Sequence, residues 1–252
     1  MEHGRAQFRR RYEGVFRRCR SCGFMFVEQP SWLQEAYAEP INRSDTGYVA
    51  RNLRCRDRVR MLIELLLRPD GTFLDYGAGY GLFVRLMRDL GYDFRSYDLY
   101  CQSWFCRGFE APTPLTGPFE AVTAFEVFEH VVDPCQVVRT ISAVTSCLIL
   151  GTALLPDPAP TPEAWWYYGL EHGQHVSFYT LRSLESLAGQ FGYRCLTDGA
   201  GLHILTREAI SPNIFSRLAS PWRRRWVHRF RRRAPLTQQD HDRVSKEMLS
   251  GS

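Results

Sequence analysis

The stretch TFLDYGAGYGLFV, residues 72–84, decides the fold of this chain. It begins as a short apolar strand, and three glycines, Gly77, Gly79 and Gly81, then follow at every second position. Glycine adopts left-handed backbone angles and lets the main chain come close to a ligand, because it has no side chain. A helical pattern resumes at Leu82, so the stretch predicts a strand, a ligand-binding turn and a helix.

Predicted strands and helices alternate on both sides of this turn. The apolar patterns predict helices at 48–67, 82–90, near Gln102, at 134–144 and at 181–190, and strands at 72–75, 94–98, 121–125, 147–152, 193–197 and 202–206. Strands separated by helices form right-handed units that build a parallel sheet. The expected fold is therefore α/β, with a doubly wound and mostly parallel sheet whose last two strands pair with each other.

Two carboxylates accompany the glycine turn. Asp98 ends the second strand, seventeen residues beyond Gly81, where it can accept hydrogen bonds from both hydroxyls of a ribose. Asp75, at the end of the first strand, would repel a pyrophosphate but can orient an ammonium group, directly or through water. Leu82 stands where a dinucleotide-binding turn has glycine or alanine, which disfavours a dehydrogenase.

The pattern D-x-G-x-G-x-G with a later acidic residue resembles motif I and its partner in class I S-adenosylmethionine-dependent methyltransferases, over about residues 48–206. The resemblance implies a Rossmann-like sheet of that type, S-adenosylmethionine as cofactor and methyl transfer as the activity. It also implies a set of cofactor-binding residues: Asp75, Tyr76, Gly77, Gly79, Gly81, Asp98, Leu99, Phe125 and Glu126.

A second motif, E-x-x-E-H, follows the 121–125 strand with Glu126, Glu129 and His130, and the segment EHGQH at 171–175 supplies His175. The arrangement is similar to that of small-RNA 2'-O-methyltransferases and ubiquinone-pathway O-methyltransferases. That similarity implies a divalent cation (Mg, Mn or Zn) held by these four residues. In many other small-molecule methyltransferases a similar turn only forms hydrogen bonds or acts as a metal-free base. Both roles stay open for the catalytic candidates Glu129, His130 and His175.

Composition favours one catalytic domain with two basic ends. A chain of 252 residues with 44% hydrophobic content buries one sizeable core. Seven arginines between residues 5 and 20 and eight between 217 and 233 exceed the net charge of +5, so the middle is acidic. We expect an N-terminal segment at 1–45, a methyltransferase domain at 46–207 with an aromatic insertion over the site at 154–179, and a basic extension at 208–252.

Both ends carry motifs of their own. Cys19 and Cys22 resemble half of a zinc ribbon found before some sugar C-methyltransferases, but upstream only His3 could join them, so free thiols in a turn are expected. Residues 221–233 interleave aromatic residues with arginines, a composition suited to nucleic acid or an anionic membrane surface, or to a solvated tail. No signal peptide or apolar run of membrane-spanning length is evident, which favours the cytoplasm.

The expected reaction is methyl transfer to a small-molecule or saccharide acceptor, on a hydroxyl oxygen. The aromatic rings of Trp165, Trp166, Tyr167 and Tyr168 could wall the acceptor pocket or simply pack the insertion. An RNA 2'-O-methyltransferase, a C-methyltransferase acting on a sugar and an inactive relative are the alternatives. The sequence contains no recognisable RNA-binding module, which disfavours the first of these.

Overall fold

The computed structural model describes residues 1–38, 41–42 and 44–250, without the side chains of Pro221, Arg224 and His228. Residues 39, 40, 43, 251 and 252, which belong to the predicted terminal segments, lie outside the described residues. The strands are β1 Glu2–Phe8, β2 Tyr12–Arg18, β3 Met25–Glu28, β4 Thr72–Tyr76, β5 Asp93–Tyr97, β6 Ala121–Phe125, β7 Cys147–Gly151, β8 Ser177–Phe178, β9 Arg194–Thr197 and β10 Leu202–Thr206. The helices are α1 Leu33–Ala36, α2 Tyr48–Leu66, α3 Leu82–Arg88, α4 Pro134–Ser142, α5 Leu181–Gln190, α6 Ile214–Ala219, α7 Pro221–Phe230 and α8 Thr237–Ser250.

The larger sheet has six strands in the order β5-β4-β6-β7-β10-β9. Strand β4 pairs in parallel with both β5 and β6, whereas β10 runs antiparallel to β7 and β9. This sheet confirms the predicted α/β, Rossmann-like class and the pairing of the last two strands. Residue contacts divide the chain into two compact units, Ser44–Thr123 with Ala209–Ser252, and Met1–Arg43 with Ala124–Glu208. The three predicted domain segments stay a prediction.

In the unit formed by Ser44–Thr123 and Ala209–Ser252, aromatic rings build the core around β4 and β5. Phe73 stacks on Phe94 with ring centroids 5.0 Å apart, and Phe83 meets Phe94 edge to face. A buried ion pair attaches the C-terminal helix α8 to α3, since two guanidinium nitrogens of Arg88 donate to the carboxylate of Asp240 at 2.8 and 2.6 Å. The last helix of the basic extension is thus docked on the domain.

The helix predicted near Gln102 is wrong. Residues 99–109 form an irregular loop, and hydrogen bonds to other partners take up the backbone N–H groups there. The carboxylate of Asp98 accepts from the N–H groups of Tyr100 and Cys101, and the carbonyl of Tyr80 accepts from two residues further along the loop. A helix would need those donors for its own hydrogen bonds.

In the unit formed by Met1–Arg43 and Ala124–Glu208, a second sheet has the order β1-β2-β3-β8, with antiparallel pairs. Its buried face packs Phe8, Phe16, Met25, Tyr168 and Phe178 into a small core. No strand was predicted in the N-terminal segment, where β2 and β3 are short, few of their residues are buried and charged residues such as Glu13, Arg17 and Glu28 interrupt the apolar pattern. Within the described part of the chain, no helix is long and apolar enough to cross a membrane.

Candidate active site

The glycine turn follows β4 directly and requires glycine at each of its three positions. The φ angles of Gly77, Gly79 and Gly81 are 70°, 54° and 80°, in the region that residues with side chains rarely adopt. Gly81 also has no room for a side chain, since a Cβ atom there would overlap Ser103 and Cys106. At Gly79 the nearest atom to such a Cβ is the Tyr48 hydroxyl, 4.0 Å away, so the backbone of this turn is open to a ligand.

Asp98 holds this turn closed. One carboxylate oxygen accepts a hydrogen bond from the N–H of Gly79 at 2.9 Å. The other accepts from the N–H groups of Tyr100 and Cys101, both at 2.8 Å. A carboxylate offers about four lone-pair sites, so three are engaged within the chain. The predicted ribose-binding residue is therefore already part of the turn.

Asp75 is 5% exposed and lies at the end of β4. Burial raises the pKa of its carboxyl to about 7, the charge of Asp98 adds to the rise, and a 2.6 Å hydrogen bond from the Thr123 hydroxyl partly opposes it. A bound cation would stabilise the ionised form of this carboxyl and lower its pKa again. The residue thus fits the predicted role as a partner for an ammonium group.

The two remaining cofactor candidates of this unit lie beside the turn. The ring of Tyr76 is tilted against that of Tyr97, with centroids 5.4 Å apart, and Leu99 is 56% exposed. Their predicted role in cofactor binding stays a prediction.

In the other unit, Phe125 and Glu126 lie where β6 ends. A Cβ atom at Gly151 would lie 2.7 Å from the ring of Phe125, so the glycine makes room for that ring. Glu126 has a φ of 53°, which is unusual for a residue with a side chain and costs on the order of 1–3 kcal/mol. Strained backbone of this kind is concentrated at functional sites, which agrees with the choice of Glu126 as a candidate.

Glu129 is completely buried. Its Oε1 accepts a 2.5 Å hydrogen bond from the hydroxyl of Tyr167, whereas Oε2 is buried and has no hydrogen-bond partner among the described residues. Burial raises the pKa of Glu129, the nearby charge of Glu126 raises it further, and the bond from Tyr167 lowers it. A buried carboxyl oxygen without a partner is costly, so in a native protein it requires an explanation, such as a catalytic role or a bound water or ion.

His130 and His175 lie beside this carboxyl, with ring centroids 4.8 Å apart. The Nδ1 of His130 donates to the carbonyl of Gln174 at 3.2 Å, and the Nδ1 of His175 donates to the carbonyl of Tyr167 at 2.6 Å. Donation from Nδ1 makes Nε2 the basic nitrogen of each neutral ring. One ligand-type atom from each of Glu129, His130 and His175 lies within 4.8 Å of the others.

The structure therefore brings the three catalytic candidates together in one group, and their catalytic role stays a prediction. Glu126, the fourth predicted metal ligand, does not belong to this group of potential ligand atoms in the described part of the chain. A carboxylate with two imidazoles can take up a proton or bind a divalent cation.

The N-terminal segment fixes the loop that carries His175. The indole N–H of Trp32 donates to the carbonyl of Gly173 at 2.8 Å, and the side-chain amide of Gln174 donates to the carbonyl of Ala36 at 2.8 Å. Sequence reasoning missed these supporting contacts, because they join residues about 140 positions apart. The signal was weak: an isolated tryptophan in a polar stretch.

The aromatic insertion packs more than it exposes. Tyr168 is completely buried and donates its hydroxyl to the carbonyl of Pro160 at 2.9 Å, so it cannot wall an acceptor pocket. Tyr167 is 3% exposed and donates its hydroxyl to the carboxyl of Glu129. Trp166, in contrast, is 79% exposed. For Tyr168 the structure agrees with the packing alternative, because its ring fills the core of the smaller sheet.

Cys19 and Cys22 are free thiols beside a turn, in which the N–H of Gly23 donates to the carbonyl of Cys19. Among the described residues, no third ligand-type side chain forms a potential metal-binding group with these two thiols.

Comparison with known proteins identifies a matching family and several similar structures. The profile of a family described as "Methyltransferase domain" matches residues 49–198, more than half of the chain. The structure is similar to that of a methyltransferase in calicheamicin biosynthesis bound to SAH, with 12% identity, 69% of this chain and 61% of that chain covered, and a TM-score of 0.45. It is also similar to human N-acetylserotonin methyltransferase in complex with SAM, with 13% identity, 71% and 66% covered, and a TM-score of 0.43.

A third similar structure is a putative methyltransferase from Bacillus halodurans, with 11% identity, 61% of this chain and 99% of that chain covered, and a TM-score of 0.45. The first two matches cover less than two thirds of the other protein's length. No curated protein sequence matches the chain. The family match confirms the predicted class: the chain belongs to the methyltransferase-domain family, the S-adenosylmethionine-dependent methyltransferases of class I.

Proposed function

We propose that this methyltransferase transfers the methyl group of S-adenosylmethionine to a hydroxyl oxygen of a small-molecule or saccharide acceptor. The observation that carries the proposal is the group formed by the buried Glu129 with His130 and His175, in which Glu129 Oε2 has no hydrogen-bond partner among the described residues. An alcohol needs a base or a charged partner for its proton, whereas the sulfonium methyl group is already activated. The group supplies such a partner.

On the cofactor side, we assign the ammonium of the methionine moiety to Asp75 and the ribose to Asp98. Asp75 is buried and its raised pKa would fall on contact with a cation. Asp98 has about one lone-pair site left, so the first ribose hydroxyl can add to it and a second would replace one backbone N–H. The glycine turn would lie against the nucleoside, where a side chain would interfere.

On the acceptor side, the acceptor hydroxyl would donate to Glu129 Oε2 or to Nε2 of a neutral histidine. As the new oxygen–carbon bond forms, the carbon–sulfur bond of the cofactor breaks, and its electron pair stays on sulfur. The hydroxyl proton passes to the base, so charge and atoms balance. The raised pKa of Glu129 suits this role, because a base is most effective when its pKa is near the working pH.

The same group fits a divalent cation. It offers one carboxylate and two imidazoles, and both rings are held through Nδ1 by backbone carbonyls, as is typical of metal-binding histidines. The buried Glu129 Oε2 would gain the partner it lacks. A bound cation would lower the pKa of an acceptor hydroxyl and stabilise the ionised carboxylate.

The proposal is tested with purified protein, methyl-labelled S-adenosylmethionine and a metabolite extract, with and without nuclease. We expect nuclease-insensitive label in small molecules or saccharides, as a methyl ether. Glu129→Gln should reduce transfer by at least about 10²-fold, the size of a general-base effect, and the exposed Glu171→Gln should not. Label in RNA, on carbon or on nitrogen would contradict the hydroxyl acceptor.

The same experiment repeated with a chelator distinguishes whether Glu129, His130 and His175 bind a divalent cation or act as a metal-free base. If a cation is bound, chelation abolishes transfer, and Mn²⁺ or Zn²⁺ restores it and gives a heat of binding with the wild type but not with Glu129→Gln. Transfer that survives chelation would leave the group as a metal-free base.

The role of Asp75 predicts a pH-dependent affinity for the cofactor. The ammonium binds the ionised carboxylate, whose pKa of about 7 is raised above the ordinary value, so protonation competes as the pH falls. Affinity should drop about tenfold between pH 8 and pH 6, measured by calorimetry with S-adenosylmethionine. Asp75→Asn should bind more weakly and lose this dependence, whereas Asp242→Asn, on α8, should match the wild type. A wild-type affinity that is flat over this range would contradict the assignment.

Tyr167 is a positioning residue for Glu129, and Tyr168 provides a matched control. Tyr167→Phe removes the hydrogen bond that lowers the Glu129 pKa, so kcat should fall about tenfold and its acidic limb should move to higher pH. The affinity for S-adenosylmethionine should not change. Tyr168→Phe also removes a tyrosine hydroxyl, which donates to the Pro160 carbonyl and to the sulfur of Met25, but it should keep kcat and the pH profile. Equal effects of the two variants would indicate a structural role only.

A further inference from the structure

Helix α7, residues Pro221–Phe230, presents a stripe of exposed aromatic rings. Trp222, Trp226 and Phe230 are 80%, 44% and 65% exposed. They are four residues apart, so they lie along one face of the helix. Three large exposed rings in ten residues are unusual, because side chains of this size normally contribute to a core.

Strong positive charge surrounds this stripe. Residues 209–239 contain eight arginines and no acidic residue. Arg223, Arg225 and Arg229 are exposed, and within the described ranges none of the three forms an ion pair. By helical geometry Arg223 lies on one side of the stripe and Arg225 and Arg229 on the other. Two other arginines of the segment, Arg231 and Arg233, pair with Glu64 and Asp70, so the charge that the described residues leave unpaired lies beside the stripe.

Another side of the helix is fixed to its own unit. Val227 is completely buried, and the guanidinium of Arg60 donates to the carbonyls of Val227 and Arg231 at 3.3 and 3.0 Å. The aromatic stripe is thus held outward by a docked helix and is not part of a loose tail.

We propose that α7 binds the surface of an anionic lipid bilayer, with the three rings in the interfacial layer and the arginines against lipid phosphates. Helices that lie on membranes combine aromatic residues on one face with basic residues beside them. Each basic residue near an anionic surface contributes about 1 kcal/mol, roughly fivefold in affinity. Such binding does not require a membrane-spanning helix, and it is independent of the proposed methyl acceptor.

A bilayer accounts for the stripe better than nucleic acid does. Phosphates of either partner would satisfy the arginines, but a row of rings along one helix face matches the planar boundary between headgroups and acyl chains. Two of the three rings also lie near guanidinium groups, with Arg229 5.7 Å from the Phe230 centroid and Arg231 5.0 Å from that of Trp226.

Co-sedimentation of the full chain with lipid vesicles tests the proposal. Vesicles of phosphatidylcholine mixed equally with phosphatidylglycerol should bind the protein, and pure phosphatidylcholine vesicles should bind it at least about tenfold more weakly. Raising the ionic strength from about 0.01 M to about 0.1 M shortens the screening length from roughly 30 Å to roughly 10 Å, so binding should weaken.

Three triple variants assign the binding to α7. Replacement of Arg223, Arg225 and Arg229 by Gln, or of Trp222, Trp226 and Phe230 by Ala, should each reduce binding at least about tenfold. The control, with exposed Arg20, Arg54 and Arg182 replaced by Gln, removes the same charge elsewhere and should bind nearly as well as the wild type. Circular dichroism and thermal unfolding verify that all three variants fold.

Several results would overturn the proposal. Equal binding to both kinds of vesicle would remove the role of headgroup charge, and equal loss in the control would show that net charge alone matters. Binding to single-stranded RNA without binding to anionic vesicles would assign α7 to nucleic acid. Absence of binding to either would leave α7 without an anionic partner.

Discussion

The hydrogen bond from the N–H of Gly79 to the carboxylate of Asp98 is the constraint on which the cofactor side of the fold depends. It joins the turn after β4 to the end of the parallel strand β5. Three glycines with positive φ make that turn possible, and the same carboxylate also binds the loop that follows β5. A single acidic residue thus shapes the turn that a nucleoside would contact, and it keeps a lone-pair site for the ligand.

In the unit formed by Met1–Arg43 and Ala124–Glu208, the burial of one carboxyl group determines the chemistry of the candidate site. Glu129 is completely enclosed, and removing a carboxyl from water costs several kcal/mol unless its atoms are paired. Tyr167 pairs one oxygen, and the second stays without a partner in the described part of the chain. Two histidines held through Nδ1 complete the group. The polar atoms of this group are therefore positioned to accept a proton, to bind a hydroxyl group or to coordinate a cation.

Local signals predicted much of this molecule. The glycine spacing, the strand ends at Asp75 and Asp98, and the E-x-x-E-H motif depend on neighbours in sequence, and the β4–α3 turn follows from them. Non-local contacts could not be predicted in this way. In the smaller sheet, β3 pairs with β8, about 150 residues away in the sequence. The ion pair between Arg88 and Asp240 joins residues with a similar separation. The role of Tyr167 was also hidden, because an aromatic residue that packs and one that holds a carboxyl look alike in sequence.

We propose that the turn between β4 and α3, closed by Asp98, binds a sulfonium nucleoside. Titration calorimetry of the full chain with S-adenosylmethionine, S-adenosylhomocysteine and NAD tests it most directly. We expect one binding site that the first two compounds share by competition, and no heat of binding with NAD. Binding of NAD, or of neither adenosyl compound, would contradict the claim.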